Sequence, residues 1–244
     1  MHSPMGAQEA QSLLASFANP AKVTWTLSEQ IANKIAEDIF RGVYEPGQSL
    51  LETNLAESFG VSRGPIRDAL HVLQVEGLVV IQPRRGASVA VLTPTNIKEI
   101  FSLRAVLYGF AAGEAARERS ENVLPLLEEG TTALRFAVET AGADMFLGLL
   151  YRLSMELLGA SSNHYTRNIL APLARLTLSV TRRVMLEEEN RRKWLNNWES
   201  VVGAIREGNV VAADEAAKRL VLTVYGSVAK LVGTPSDETT LQEK

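Results

Sequence analysis

The stretch Gly60-Val61-Ser62-Arg63-Gly64-Pro65-Ile66-Arg67 places two guanidinium groups four residues apart, behind a residue suited to starting a helix. At that spacing Arg63 and Arg67 share one helix face. An arginine in an exposed first turn can grip a phosphate. It can also pair with guanine O6 and N7 through two parallel hydrogen bonds in the major groove of duplex DNA. Ser62 is expected to cap this helix, its hydroxyl accepting a first-turn N–H, and Pro65 is tolerated where no intrahelical donor is yet needed. Gly64 would let DNA approach the backbone closely, although permissiveness at a helix start explains it equally well. Thr53 and Ser62 would lie near phosphates. A second basic cluster, Gln82-Pro83-Arg84-Arg85-Gly86, reads as a turn between two strand-like runs, with Arg84, Arg85 and Gly86 at its tip.

The elements that must hold these groups are legible on either side. Glu52 to Phe59 reads as a short helix with Leu55, Ala56 and Phe59 on one side, and Gly60 follows where a helix end favours positive φ. Val61 then turns toward the core. Ile66, Ala69, Leu70 and Leu73 continue the second helix at three- and four-residue spacing until Gly77. Leu78-Val79-Val80-Ile81 and Ala87-Ser88-Val89-Ala90-Val91 flank the basic turn as a β wing. Upstream, Thr26 and Glu29 have capping-box spacing and open a helix with Leu27, Ile31, Ile35 and Ile39 on one stripe. Pro46-Gly47 turns the chain into the helix-turn-helix, at about 51–70.

This order of pieces resembles the GntR family of bacterial transcription regulators. The residues that carry the resemblance are Ile39-Phe40-Arg41-Gly42-Val43-Tyr44-Glu45-Pro46-Gly47 with Leu50, Leu55-Ala56-Glu57, Gly60-Val61-Ser62-Arg63 with Pro65, and Arg67-Asp68-Ala69-Leu70. Glu76-Gly77-Leu78-Val79 and Arg85-Gly86-Ala87 come next in order. The resemblance implies a winged helix-turn-helix over 24–92 and a homodimer on a pseudo-palindromic double-stranded DNA operator. It also implies repression rather than activation.

Thr93-Pro94-Thr95 marks a boundary, because the residue before a proline avoids helix and a threonine can cap the next helix. Beyond it, six helices are expected, near 95–119, 122–140, 143–158, 163–186, 190–207 and 210–231. The fold class is therefore mainly α: a winged helix-turn-helix with a small β wing, then an all-α antiparallel bundle over 95–232. Tails are expected at 1–23 and 233–244. The helix order is similar to the FCD-type effector domain, with Asn163 in Ala160-Ser161-Ser162-Asn163 and the stretch Ala204-Ile205-Arg206-Glu207-Gly208-Asn209 matching two of its loops.

Many FCD domains hold a metal with one aspartate and three histidines, and the local pattern aligns those positions with Gly148, Arg152, Trp198 and Leu220. None offers a lone pair to a divalent ion, and His2, His71 and His164 are too scattered to form a site. No metal and no cofactor are expected; a metal-dependent sensor is the reading if the alignment is shifted. The resemblance places Arg104 toward the effector cavity, and Arg152 would replace a metal ligand by a fixed guanidinium. Tyr108 stands where relatives usually have glutamate. With Trp198 as an apolar wall, Arg104 and Arg152 imply a small organic anion as effector. Arg152 could instead pair with Glu156 one turn on, and Trp198 could simply pack the core. A DNA-binding dimer with no effector is the alternative.

Composition narrows the classes further. The 244 residues are 46% hydrophobic and 22% charged, with a formal net charge of -3. That balance argues against a nonspecific polycation, while a few arginines on one face still suffice for a specific site. There is no cysteine, which excludes disulfides, thiolate metal sites and cysteine nucleophiles. No apolar run approaches the roughly 20 residues that span a bilayer, and no basic-then-apolar leader opens the chain, so a cytoplasmic protein without a membrane partner is expected. Neither His71 nor His164 sits in a nucleophile motif, and Glu187-Glu188-Glu189 reads as a solvated helix end; an enzyme is not expected.

Overall fold

The computed structural model describes residues 25–118, 123–140, 142–160 and 163–233. The expected tails at 1–23 and, past Gly233, at 233–244 lie outside the described residues, as do His2, Ser161 and Ser162. The chain divides into two compact units between Leu92 and Thr93.

In the first unit, α1 (Leu27–Arg41) opens on a capping box. The Glu29 N–H donates to Thr26 Oγ1 at 3.3 Å, and the Thr26 N–H donates to Glu29 Oε2 at 2.9 Å. Ile31, Ile35 and Ile39 are buried, whereas Leu27 at the head of the stripe stays exposed. α2 (Glu52–Phe59) and α3 (Arg63–Val75) form the helix-turn-helix. Between them Gly60 adopts φ 63°, a conformation that a β-carbon opposes, and the Val61 N–H closes α2 by donating to the Ala56 carbonyl at 3.0 Å. Ile66, Ala69, Leu70 and Leu73 turn the inner face of α3 into the core, so its first turn is left to solvent.

Three short strands complete this unit: β1 (Ser49–Leu50), β2 (Val79–Gln82) and β3 (Gly86–Val89), ordered β1-β3-β2 and antiparallel. The wing is the β2–β3 hairpin, with Gln82 opposite Gly86. β1 is an addition to the sequence reading, in which the Pro46-Gly47 region is only a turn. Two residues are too few to show an alternating pattern; the buried Leu50, opposite Ala87, is what joins β1 to the sheet.

The second unit is helical among its described residues: α4 (Pro94–Glu118), α5 (Leu124–Thr140), α6 (Ala143–Gly159), α7 (His164–Leu176), α8 (Leu178–Met185), α9 (Glu188–Glu207) and α10 (Val210–Val232). Pro94 sits at the head of α4. Thr93 closes that end, its Oγ1 accepting the Asn96 N–H at 3.1 Å while Asn96 Oδ1 accepts the Thr93 N–H at 3.2 Å. α4 lies close along α10, and a β-carbon on Gly109 would collide with the Asp214 carboxylate. Phe101, Leu127, Leu134, Phe146, Leu157 and Trp198 fill the core.

One expected element is corrected. The helix predicted across 163–186 is two helices, broken at Thr177, whose backbone sits at φ -99°, ψ 6°. Pro172 removes one ladder donor upstream. The Thr177 hydroxyl then donates back to the carbonyls of Leu173 and Ala174, each at 3.3 Å, which competes with the helical path. The same hydroxyl accepts from Arg104 in α4. Apolar periodicity continues through the break, so the pattern of the sequence does not reveal it.

Candidate nucleic-acid interface and anion site

Arg63, Gly64 and Arg67 lie exposed along the start of α3, with Pro65 half-buried beneath them. Ser62 occupies the cap position, but its side chain makes no capping bond. The N–H that a capping hydroxyl most often reaches belongs to the third helical residue, and here that residue is Pro65, which has none. The cap expectation is thus corrected, and the Ser62 hydroxyl stays on the exposed surface beside Arg63. Thr53, in the first turn of α2, is exposed and donates to Asn54 Oδ1 at 3.2 Å. A β-carbon on Gly64 would meet nothing within 4 Å among the described residues, so none of them requires glycine there.

Arg67 has a partner that spacing alone did not indicate. Its Nε donates to Glu52 Oε1 at 3.2 Å and its Nη2 to Oε2 at 3.0 Å, joining the starts of α2 and α3 across 15 residues. The bonded guanidinium holds the Glu52 carboxyl below the usual carboxylate range, with Arg63 and His71 adding in the same direction. The pair lies on a groove of about 340 Å³, which is also lined by His71 and by Gly86 of the wing. The sequence offered no signal for Glu52 beyond its place at a helix start.

At the tip of the wing, Arg84, Arg85 and Gly86 are all exposed. The Arg85 N–H donates to the Gln82 carbonyl at 3.1 Å and closes the turn. Arg84 has φ 66°, the one positive φ outside glycine among the described residues. An L side chain in the left-handed region costs roughly 1 kcal/mol or more, so this arginine is kept at some expense to the fold.

In the helical unit Arg104 has the opposite setting. Its Nη1 donates to Thr177 Oγ1 at 2.6 Å and its guanidinium carbon stands 4.7 Å from the centre of the Phe101 ring, while its Nε is buried with no hydrogen-bond partner. Among the described residues no carboxylate forms an ion pair with it. Burial pulls its pKa down to about 10, opposed by Tyr108 and Tyr151, so it is a cation at neutral pH. Burial likewise pushes the Tyr108 phenol up to about 12, although a hydrogen bond with Ser154 and the nearby Arg104 charge act the other way. Tyr225 packs against Phe101 with ring centroids 5.8 Å apart, and its buried hydroxyl has no partner among the described residues.

The α6 residues that meet Arg104 and Tyr108 are therefore Tyr151 and Ser154. Arg152, next to Tyr151 but turned by about 100° around the helix, is exposed, so the placement that paired it with Arg104 is corrected. Trp198 is fully buried, donates from Nε1 to Thr131 Oγ1 at 2.9 Å and stacks on Trp194 at 5.3 Å. Its burial, hydrogen bond and ring stack are those of core packing.

The family's divalent metal does not fit the residues present. Gly148 and Leu220 lack donors, Arg152 is a surface cation, and the Trp198 ring nitrogen is spent as a donor to Thr131. Among the described residues no cluster of three or more histidines and carboxylates could hold an ion.

Residues 27–89 match the bacterial regulatory proteins of the gntR family, and residues 99–223 match the FCD domain. The chain belongs to the gntR family of bacterial regulatory proteins, in its winged-helix plus FCD arrangement. Over 185 residues it is 30% identical to the gluconate operon transcriptional repressor of Bacillus licheniformis, covering 72% of this chain and 74% of that one. It is 34% identical over 142 residues to the HTH-type transcriptional regulator YdhC of Bacillus subtilis, covering 58% of this chain but only 63% of YdhC. The fold is that of E. coli McbR/YncC, with a TM-score of 0.74, 18% identity, and coverage of 85% of this chain and 99% of that one. These relatives are transcription regulators, not enzymes. No helix among the described residues is long and apolar enough to cross a membrane.

Proposed function

We propose that the chain is a homodimeric, cytoplasmic repressor that binds a pseudo-palindromic DNA operator through the first turn of α3 and the wing, and is tuned by a small organic anion. The observation that carries the DNA reading is an exposed, cationic helix start built around an unobstructed glycine: Arg63 and Arg67 in solvent, with open space over Gly64. Arg63 and Arg67 take base edges or phosphates, Gly64 and Pro65 let the groove come close, and Thr53 and Ser62 give hydroxyls to the backbone. Arg84, Arg85 and Gly86 follow the flanking phosphates. Repression is favoured by the gluconate operon repressor among the relatives.

Arg104 supports the effector reading. A largely enclosed guanidinium with a buried, unpartnered Nε and no carboxylate paired to it among the described residues carries a desolvation cost that a bound carboxylate or phosphate would offset. Arg104 is the anion's anchor, with the Tyr108 and Tyr225 hydroxyls as further polar groups; Arg152 and Trp198 take no part. Bound anion changes operator affinity only as far as it distinguishes the two conformations of the repressor.

The DNA reading is tested with an operator duplex selected from random sequence. Replacing Arg63 and Arg67 together by Ala should weaken specific binding by about 1–3 kcal/mol for each arginine while the melting temperature holds. Operator binding of wild-type strength by that folded variant would refute it.

A further inference from the structure

Arg67 and Glu52 meet in a side-on fork, Nε to Oε1 at 3.2 Å and Nη2 to Oε2 at 3.0 Å, on a surface that the proposed function turns toward DNA. A carboxylate there is costly, because DNA carries one negative charge for every roughly 1.7 Å of helix axis and repels it. Glu52 does sit in the first turn of α2, where the helix dipole favours an anion. That role needs no partner, yet both of its oxygens are turned onto a guanidinium 15 residues away.

The donor count shows what the fork leaves free. Glu52 takes the Nε hydrogen and one Nη2 hydrogen of Arg67; the second Nη2 hydrogen and both Nη1 hydrogens remain, at the far end of the planar group. Of these, the Nη2 hydrogen and the Nη1 hydrogen beside it form the end-on pair that guanine O6 and N7 accept. A phosphate can be gripped from many angles and gains nothing from a neighbouring carboxylate, whereas base readout requires the guanidinium plane to be fixed. We propose that Glu52 is a positioning residue that buttresses Arg67 so that Arg67 reads a guanine in each operator half-site, a conclusion that rests on the DNA-binding reading above. The pair is half-exposed, with side-chain exposures of 62% for Arg67 and 35% for Glu52, so the reading end is open to a base. Glu52 thus lowers affinity for DNA in general and raises discrimination among sequences.

The test is enrichment of duplexes from a randomised pool by the full chain and by the variants Arg67→Ala, Glu52→Gln and Glu52→Asp. The wild type should prefer guanine at one symmetric position, and Arg67→Ala should lose that preference by about fivefold or more. Glu52→Gln should lose the same preference at the same position, add nothing in the Arg67→Ala background, and bind random duplex more tightly with a steeper salt dependence, as the freed arginine moves to a phosphate. Glu52→Asp keeps a carboxylate at the start of α2 but is one methylene shorter, so it should keep wild-type stability and still lose the preference. Guanine preference of wild-type strength in folded Glu52→Gln, or loss at a different position from Arg67→Ala, overturns the buttress alone. A wild-type chain that enriches no sequence overturns the DNA-binding reading, and the buttress with it.

Discussion

Arg63 and Arg67 stand in solvent at the start of α3, the second of them forked to a surface carboxylate, whereas Arg104 is enclosed between Phe101, Thr177, Tyr108 and Tyr151 and pairs with no carboxylate among the described residues. The proposed function accounts for the difference by the size of the anion each would meet. A polyanion brings its own charge density and needs cations that are reachable and aimed, which fits arginines that are exposed and, at Arg67, held by a carboxylate. A small anion must be drawn out of water, which takes a cation already desolvated and lacking a partner. On the proposed function, one side-chain type serves two kinds of recognition, and its surroundings decide which.

Gly64→Ala sharpens the winged-unit half of the comparison. Inside a helix the substitution should stabilise the fold by about 0.5–1 kcal/mol, since the new methyl meets nothing among the described residues. If DNA approaches that backbone, the same methyl should weaken operator binding by about 1–3 kcal/mol. Thermal melts and anisotropy titrations of one preparation read both, and a more stable chain with unchanged operator affinity would remove Gly64 from the interface.

A smaller effect is expected at the wing. Arg84→Gly relieves the positive φ, for a gain of up to about 1 kcal/mol in stability, and deletes one cation. Operator affinity should fall modestly, with the slope of log affinity against log salt shallower by about 1. An unchanged slope would mean that Arg84 contacts no phosphate.

The winged unit was the more legible half, for physical reasons. The capping box at Thr26 and Glu29, the left-handed Gly60 and the hairpin around 82–86 are set by local backbone rules that leave marks within a few residues. The Glu52–Arg67 fork left none, because it depends on how two helix starts meet. In the bundle, helical periodicity located the helices but did not fix their rotation. A turn of about 100° per residue separates exposed Arg152 from buried Tyr151, and a gapped alignment without a histidine to anchor it cannot choose between them. Nor could spacing find the break at Thr177, since its cause includes a guanidinium 73 residues away.

The central claim, that an enclosed arginine with no carboxylate paired to it among the described residues awaits an anion, is tested most directly by thermal shift of the intact chain against a panel of small mono- and dicarboxylates and sugar phosphates, run in parallel on Arg104→Met and Arg152→Met. At least one anion should raise the wild-type melting temperature with dose, reaching about 2.7 kcal/mol of added stability at a hundred times its dissociation constant. Arg152→Met should keep that shift. Arg104→Met should lose it and, freed of a largely enclosed charge that no carboxylate balances among the described residues, should be about 1–2 kcal/mol more stable than the wild type without ligand. A shift of equal size in Arg104→Met, or no shift in the wild type with any member of the panel, would contradict the account and leave a DNA-binding dimer that senses no anion.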